Sequence, residues 1–127
     1  NGASAFDGAH YYLNVRKTDG NYEMVTIDVS DFSMSMSSVL SSTNQDLTSP
    51  NGFEVNVVTG IIYGYAYDSV NEEEVFISYD IDTESITQIG VITGIAYVTS
   101  TSTQEGVDFY AIMADSSRQN FLVHIQY

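Results

Sequence analysis

The chain has 127 residues, with 3 basic against 17 acidic side chains, no cysteine and one proline. Its net charge of −14 repels DNA, RNA and anionic lipid, because proteins bind such partners mainly through Lys and Arg, and nucleic acid is therefore excluded as a partner. The absence of cysteine excludes disulfides and thiolate sites. No apolar run approaches the roughly 18 residues that cross a bilayer, so no membrane insertion is expected.

The remaining composition describes a folded domain. Hydrophobic residues make up 43% of the chain and aromatic residues 13%, which is enough apolar surface for one all-β domain over residues 1–127. Lysine is nearly absent, whereas serine, threonine, asparagine and tyrosine are common. Together with the strong acidity, this composition predicts a secreted or cell-surface protein.

The first part of the chain alternates apolar and polar side chains, which is the period of a β-strand. Strands are predicted over residues 10–17 and 22–30, and the Asp19-Gly20 sequence between them is typical of a hairpin turn. The apolar faces formed in this way are, in chain order, Tyr11, Leu13 and Val15, then Val25, Ile27 and Val29, then Phe32, Met34 and Met36. The polar residues 41–52, which include Pro50, predict the longest loop, with Leu47 buried beneath it.

The second part repeats the strand pattern, and no segment has the spacing of a helix. Strands are predicted over residues 53–57, 61–68, 75–82, 86–92, 95–101, 107–114 and 121–127. The total is about ten short strands with short connections, which predicts an antiparallel meander. Two arrangements fit that prediction: propeller-like blades, or an up-and-down barrel.

Two sequence echoes suggest internal repetition. Residues 57–64, Val-Val-Thr-Gly-Ile-Ile-Tyr-Gly, are followed about 34 residues later by the Val-Ile-Thr-Gly-Ile-Ala-Tyr of residues 91–97. Residues 26–30 and 78–82 form a second, weaker match. Over residues 52–90, about a third of the chain, the sequence resembles one four-stranded blade of a secreted β-propeller.

That resemblance implies two specific turns, but it requires more strands than the chain is predicted to have. It implies that Thr59-Gly60 forms the turn after the innermost strand and that residues 80–83 form the hairpin into the outermost strand. A closed propeller needs at least about four blades of four strands, which about ten strands do not supply. The resemblance therefore implies a fragment, a partial propeller completed by self-association, or blades closed in another way. The alternative is a barrel around a small apolar ligand.

Acidic residues are concentrated around one predicted hairpin and its strands. Calcium takes about six to eight oxygen ligands, so these carboxylates are candidate calcium ligands. The candidates are Asp68, Glu72, Glu73, Glu74, Asp80, Asp82 and Glu84. The alternative is a solvated acidic edge that prevents strands of different molecules from pairing.

Tyr63, Tyr65 and Tyr67 form an aromatic stripe on one face of a single predicted strand. Such a stripe can stack on sugar rings or line an apolar pocket, and it is equally the composition of a β-sheet core. Gly64 and Ala66 leave the opposite face small, so that another layer can approach closely.

No catalytic motif is present. The two histidines, His10 and His124, lie in predicted strands without a nucleophile turn nearby, and no phosphate-binding loop or zinc pair occurs. We therefore expect a non-enzymatic recognition or assembly module that binds a glycan, a cation or a protein partner, with self-association as one form of assembly. The alternatives are a barrel carrier whose cavity is lined by Tyr63, Tyr65, Phe53 and Phe109, and a fragment of a glycan-acting hydrolase.

Overall fold

The computed structural model describes residues 4–36 and 47–127, and all regular structure in these ranges is antiparallel β-strand. The prediction of an all-β, antiparallel meander is confirmed. The described residues contain no helix, and hence none that is long and apolar enough to span a membrane.

The strands form three sheets, and within each sheet they lie in chain order. The first sheet contains β1 (Ser4–Phe6), β2 (His10–Arg16), β3 (Tyr22–Asp28) and β4 (Met34–Met36). The middle sheet contains β5 (Leu47–Asn56), β6 (Ile61–Asp68), β7 (Glu73–Asp80) and β8 (Ser85–Ile92). The third sheet contains β9 (Tyr97–Glu105), β10 (Asp108–Ala114) and β11 (Asn120–Gln126). Among the described strands, no hydrogen-bonded pairing joins one sheet to the next.

The sheets are stacked face to face, and β5 lies beside β1 on one side and β9 on the other. We call the side of a sheet that faces the preceding sheet its rear face, and the opposite side its front face. The front face of the first sheet packs on the rear face of the middle sheet, forming a first core with Tyr12, Met24, Phe53, Ile62, Val75, Ile77 and Tyr79. The front face of the middle sheet packs on the rear face of the third, forming a second core with Tyr63, Tyr65, Phe76, Phe109, Ala111 and Met113.

Both cores depend on the alternation of side chains along the strands of the middle sheet. Phe76 and Ile77 are neighbours in β7, yet Phe76 lies in the second core and Ile77 in the first, with exposed fractions of 2% and 1%. Successive side chains of a strand point to opposite faces, so a strand buried on both sides places neighbours in different cores. Strands β6 and β7 of the middle sheet are therefore covered on both faces.

The hairpin between the second and third strands has the same register in all three sheets. Its first cross-strand pair is His10 with Asp28 in the first sheet, Ile61 with Asp80 in the middle sheet, and Asp108 with Gln126 in the third sheet. Counted from there, even-numbered pairs lie on the rear face and odd-numbered pairs on the front face. The second pairs are Tyr11 with Ile27, Ile62 with Tyr79, and Phe109 with Ile125. The three sheets thus repeat one structural unit.

Only one of the two sequence echoes follows this repeat. Residues 26–30 and 78–82 occupy equivalent places, since Asp28 and Asp80 both belong to a first pair. Thr59-Gly60 lies in the turn between β5 and β6, whereas Thr93-Gly94 lies between β8 and β9. Both glycines have positive φ, at 71° and 78°, which glycine adopts without steric cost. The Thr-Gly echo therefore marks two different turns.

The prediction of a loop over residues 41–52 was wrong from residue 47 onward, and residues 41–46 lie outside the described ranges. Leu47–Asn56 is strand β5, whose register against β6 shifts on both sides of Asn51. Pro50 is tolerated because β5 pairs only with β6, so its missing N–H interrupts no second ladder. The Pro50 carbonyl accepts a hydrogen bond from Asn14 Nδ2 at 2.9 Å, which ties the first sheet to the middle sheet.

Close packing at Gly64 gives a test of this arrangement. A Cβ at Gly64 would lie 2.6 Å from Phe53 Cδ1 and 2.7 Å from the Asn51 carbonyl oxygen. We expect Gly64→Ala to lower the free energy of unfolding by about 1–3 kcal/mol, measured by urea denaturation. The matched control is Gly90→Ala, because a Cβ there meets nothing within 4 Å. Equal effects of the two substitutions would contradict the packing described here.

Candidate functional site

The tyrosine stripe lies on the front face of the middle sheet. Tyr63 and Tyr65 are 9% and 1% exposed and belong to the second core, while Tyr67 is half-buried. The ring of Tyr63 stacks on that of Tyr127 at a centroid distance of 3.9 Å. The rings of Tyr63 and Tyr65 therefore contact protein, and neither is placed to stack on a sugar.

The residues predicted to line a carrier cavity are divided between the two cores. Phe53 lies in the first core, whereas Tyr63, Tyr65 and Phe109 lie in the second, on the other side of the middle sheet. An apolar groove of about 280 Å³ does occur elsewhere, where the outer part of the middle sheet meets the third sheet. Its lining includes Phe76, Ile89, Ile92 and Ile125.

The candidate calcium ligands are not brought together. Asp68, Glu72, Glu73 and Glu74 lie at the turn between β6 and β7, while Asp80, Asp82 and Glu84 lie at the turn between β7 and β8. These turns are at opposite ends of β7, an 8-residue strand, and are therefore about 20 Å apart. In residues 4–36 and 47–127, no group of three or more Asp, Glu or His side chains is arranged to hold a metal ion.

Aspartates, two of the candidates among them, shape the turns instead. At seven aspartates of the described residues, Oδ1 accepts a hydrogen bond from the backbone N–H two residues later, at 2.7–3.0 Å. These aspartates are Asp7, Asp19, Asp28, Asp31, Asp68, Asp80 and Asp115. Such Asx turns satisfy backbone donors that would otherwise lack a partner. Hydrogen bonds from Asn71 lower the pKa of Asp68, and hydrogen bonds from Thr83 lower that of Asp80.

Glu74 differs from the turn acids because it lies on the front face of the middle sheet, in the same cross-strand row as Tyr67 and Ile92. Burial raises the pKa of Glu74 to about 7. Burial also raises the pKa of Glu54, which accepts a hydrogen bond from Ser102 Oγ at 3.0 Å that partly offsets this effect. Between these acids, Tyr65 Oη is buried and has no hydrogen-bond partner in the described part of the chain.

Both histidines pair with aspartates. His124 Nε2 lies 2.6 Å from Asp108 Oδ1, and its ring stacks on Tyr110 at 4.7 Å on the front face of the third sheet. His10 Nδ1 lies 3.3 Å from Asp7 Oδ2. The Asp7 carboxylate also accepts hydrogen bonds from two backbone N–H groups and from Tyr12 Oη, which outweigh its desolvation and lower its pKa to about 2. The Asp108–His124 contact depends on the pairing of β10 with β11, whereas Asp7 and His10 are only three residues apart.

An exposed apolar surface lies on the rear face of the first sheet. Cross-strand pairing places eight apolar side chains on this face: Phe6, Tyr11, Leu13, Val15, Val25, Ile27, Met34 and Met36. Phe6 and Tyr11 are each 46% exposed, and their rings stack at 4.5 Å. Met34 and Met36 are 72% and 63% exposed, whereas Val25, between Leu13 and Met36, is 9% exposed.

The alternation that predicts Tyr11, Leu13 and Val15 on one face is correct, but this face is not the one that packs on the middle sheet. The first core takes Tyr12 and Met24 from the opposite face. A contiguous apolar surface of this kind on a folded protein marks an interaction site. We therefore take the rear face of the first sheet as the candidate functional site.

Comparison with known proteins adds no assignment: no protein-family model matches the chain, and no curated protein matches its sequence.

Glu74 makes the stability of the fold depend on pH. An acid whose pKa is about 7 when folded and near 4.5 when unfolded holds its proton more tightly in the folded state. Its contribution to stability is therefore complete below about pH 4.5 and is lost as the pH rises through 7. We expect Glu74→Gln to raise the free energy of unfolding at pH 8 by about 1–3 kcal/mol and to have little effect at pH 4.5. The control with the same charge change is Glu72→Gln in the exposed turn, and equal pH dependence of the two variants would refute the raised pKa of the half-buried Glu74.

Proposed function

We propose that this chain is a non-enzymatic assembly module that binds another protein through the rear face of the first sheet. The single observation that supports this proposal most strongly is the difference in exposure between equivalent positions of the three sheets. Tyr11 is 46% exposed, whereas Ile62 and Phe109, which occupy the same place in the other two sheets, are 1% and 0% exposed. In all three sheets the rear face carries apolar side chains typical of a buried face, although in the first sheet it is exposed.

The chemistry of the surface favours a protein over a glycan. Of its eight apolar side chains, only Tyr11 has a polar group, and Glu23, at the end of the face, is already paired with Lys17. Sugar recognition requires several hydrogen-bond donors and acceptors beside the aromatic ring. A partner that buries this face gains about 25 cal/mol for each Å² of apolar area removed from water. The complementary partner is another apolar β-sheet face, which would pack about 10 Å away as sheets do in a sandwich.

The proposal includes the resemblance to propeller blades and a secreted or cell-surface location. Three antiparallel meanders with adjacent first strands support the resemblance, as do the positions of Thr59-Gly60 after β5 and of residues 80–83 before β8. The scarcity of lysine and the net charge of −14 support the location.

A site-specific photo-crosslinker tests the proposed surface. Introduced in place of Met34, which is 72% exposed on the rear face, it should form a crosslinked protein adduct in the fluid or extract where the protein naturally occurs. Introduced in place of Val58, which is 89% exposed in the turn after β5, it should not. Adding Tyr11→Lys to the Met34 probe should reduce the adduct at least about tenfold. The proposal fails if the Met34 and Val58 positions give the same adducts, or if Tyr11→Lys changes nothing.

A further inference from the structure

A second open face lies at the other end of the stack. The front face of the third sheet carries Tyr110, Ile112, Leu122 and His124, as the pairing of β10 with β11 shows. Leu122 is 69% exposed, whereas Met24 and Phe76, at the equivalent position of the first and middle sheets, are 1% and 2% exposed. This front face therefore exposes a position that is fully buried in the other two sheets.

The third cross-strand pair also places a residue on the open front face of the third sheet whose equivalents in the other two sheets are buried. Its β2, β6 and β10 members are Tyr12, Tyr63 and Tyr110, so a tyrosine occupies one position on all three front faces. Tyr12 and Tyr63 are 4% and 9% exposed beneath the following sheet, while Tyr110 is half-buried and stacks on His124. Tyr110, on the open face, is therefore equivalent in residue type and position to Tyr12 and Tyr63, which are both buried.

We infer that the partner of the rear face of the first sheet is a second copy of this chain, which presents the front face of its third sheet. This inference rests on the proposed function and names its partner. Each sheet interface within the chain packs a front face on a rear face. In the described residues, the rear face of the first sheet and the front face of the third sheet remain open. A rear face and a front face are also what pack together at both sheet interfaces inside the molecule. A second copy placed head to tail continues the same packing.

The charges at the two faces are compatible with this contact. Glu23, at the end of the rear face, is paired with Lys17 at 2.8 Å, and Asp108, at the end of the front face, is paired with His124 at 2.6 Å. A charge that already has a partner costs less to bury than an isolated one. The net charge of −14 on each copy opposes association over longer distances, so salt should strengthen it.

Head-to-tail packing predicts a specific kind of assembly. The two surfaces in contact differ, so the contact is heterologous, and copies add until a ring closes or a filament grows. A rear-to-rear contact would instead bury the same surface on both copies and stop at a dimer. Two variants distinguish these arrangements, because Tyr11→Lys alters only the rear face and Leu122→Lys only the front face.

Sedimentation equilibrium from about 1 μM to about 1 mM, in about 0.05 M and about 0.5 M salt, measures the association. The wild-type chain should associate, and more strongly at the higher salt concentration. Tyr11→Lys and Leu122→Lys should each raise the dissociation constant at least about tenfold. The control Val58→Lys makes the same charge change in an exposed turn outside both faces and should stay within about twofold of wild type.

Mixing the two variants gives the decisive result. Tyr11→Lys retains an intact front face and Leu122→Lys an intact rear face, so an equimolar mixture should form a one-to-one dimer that neither variant forms alone. Circular dichroism verifies that each variant is folded, and Met34→Lys replaces Tyr11→Lys if the latter does not fold, because Met34 is 72% exposed on the same face. Wild-type association by Leu122→Lys, or a mixture that stays monomeric, would overturn the head-to-tail arrangement.

The outcome also separates this inference from the proposed function. A wild-type chain that remains monomeric at about 1 mM, while the Met34 photo-probe still crosslinks a different protein, refutes the second copy and leaves the assembly function standing. A monomeric chain with no specific adduct refutes both.

Discussion

The burial of strands β6 and β7 of the middle sheet on both faces is the constraint on which the rest of the structure depends. Neighbouring residues of these two strands supply two separate cores, so both strands carry apolar side chains on both sides, as Ile62 and Tyr63 do. A sheet covered on one side alternates apolar and polar residues, whereas a sheet between two layers does not. The first and third sheets are held in place because each has one face against this middle layer.

The stack has consequences for where charge and function are found. Acidic side chains are used at strand ends, where Asp28, Asp68, Asp80 and Asp115 close turns through backbone hydrogen bonds. Glu74 and Glu54 lie on the front face of the middle sheet, and burial raises the pKa of both. A stack of sheets that repeat one register has a rear face and a front face left over at its two ends. In this chain both leftover faces bear the residue types of a core, which connects the fold directly to assembly.

Much of the fold could be predicted from local pattern, and the site could not. Alternation identified the strands around Tyr11, Val25 and Ile62, because each side chain reports the face on which it lies. It missed the first part of strand β5, residues 47–52 around Pro50, since proline and polar residues are the usual signs of a loop, although an edge strand tolerates them. The alternation of apolar and polar residues also cannot decide which apolar face packs inside the chain. Tyr11 lies on the exposed rear face of the first sheet, whereas Tyr12, on the front face, lies in the first core. The Thr-Gly echo misled because similar turns recur at unrelated places, whereas the structural repeat lies in the cross-strand positions, such as the one shared by Tyr12, Tyr63 and Tyr110.

The most direct test of the account is the stability of two variants at adjacent positions in β7, Phe76→Ala and Ile77→Ala. Phe76 and Ile77 are 2% and 1% exposed in different cores. Each variant, measured by urea denaturation, should lose about 2–5 kcal/mol of the free energy of unfolding. A large loss for one variant and a loss below about 0.5 kcal/mol for the other would show that one face of the middle sheet is in water, and would contradict the stack.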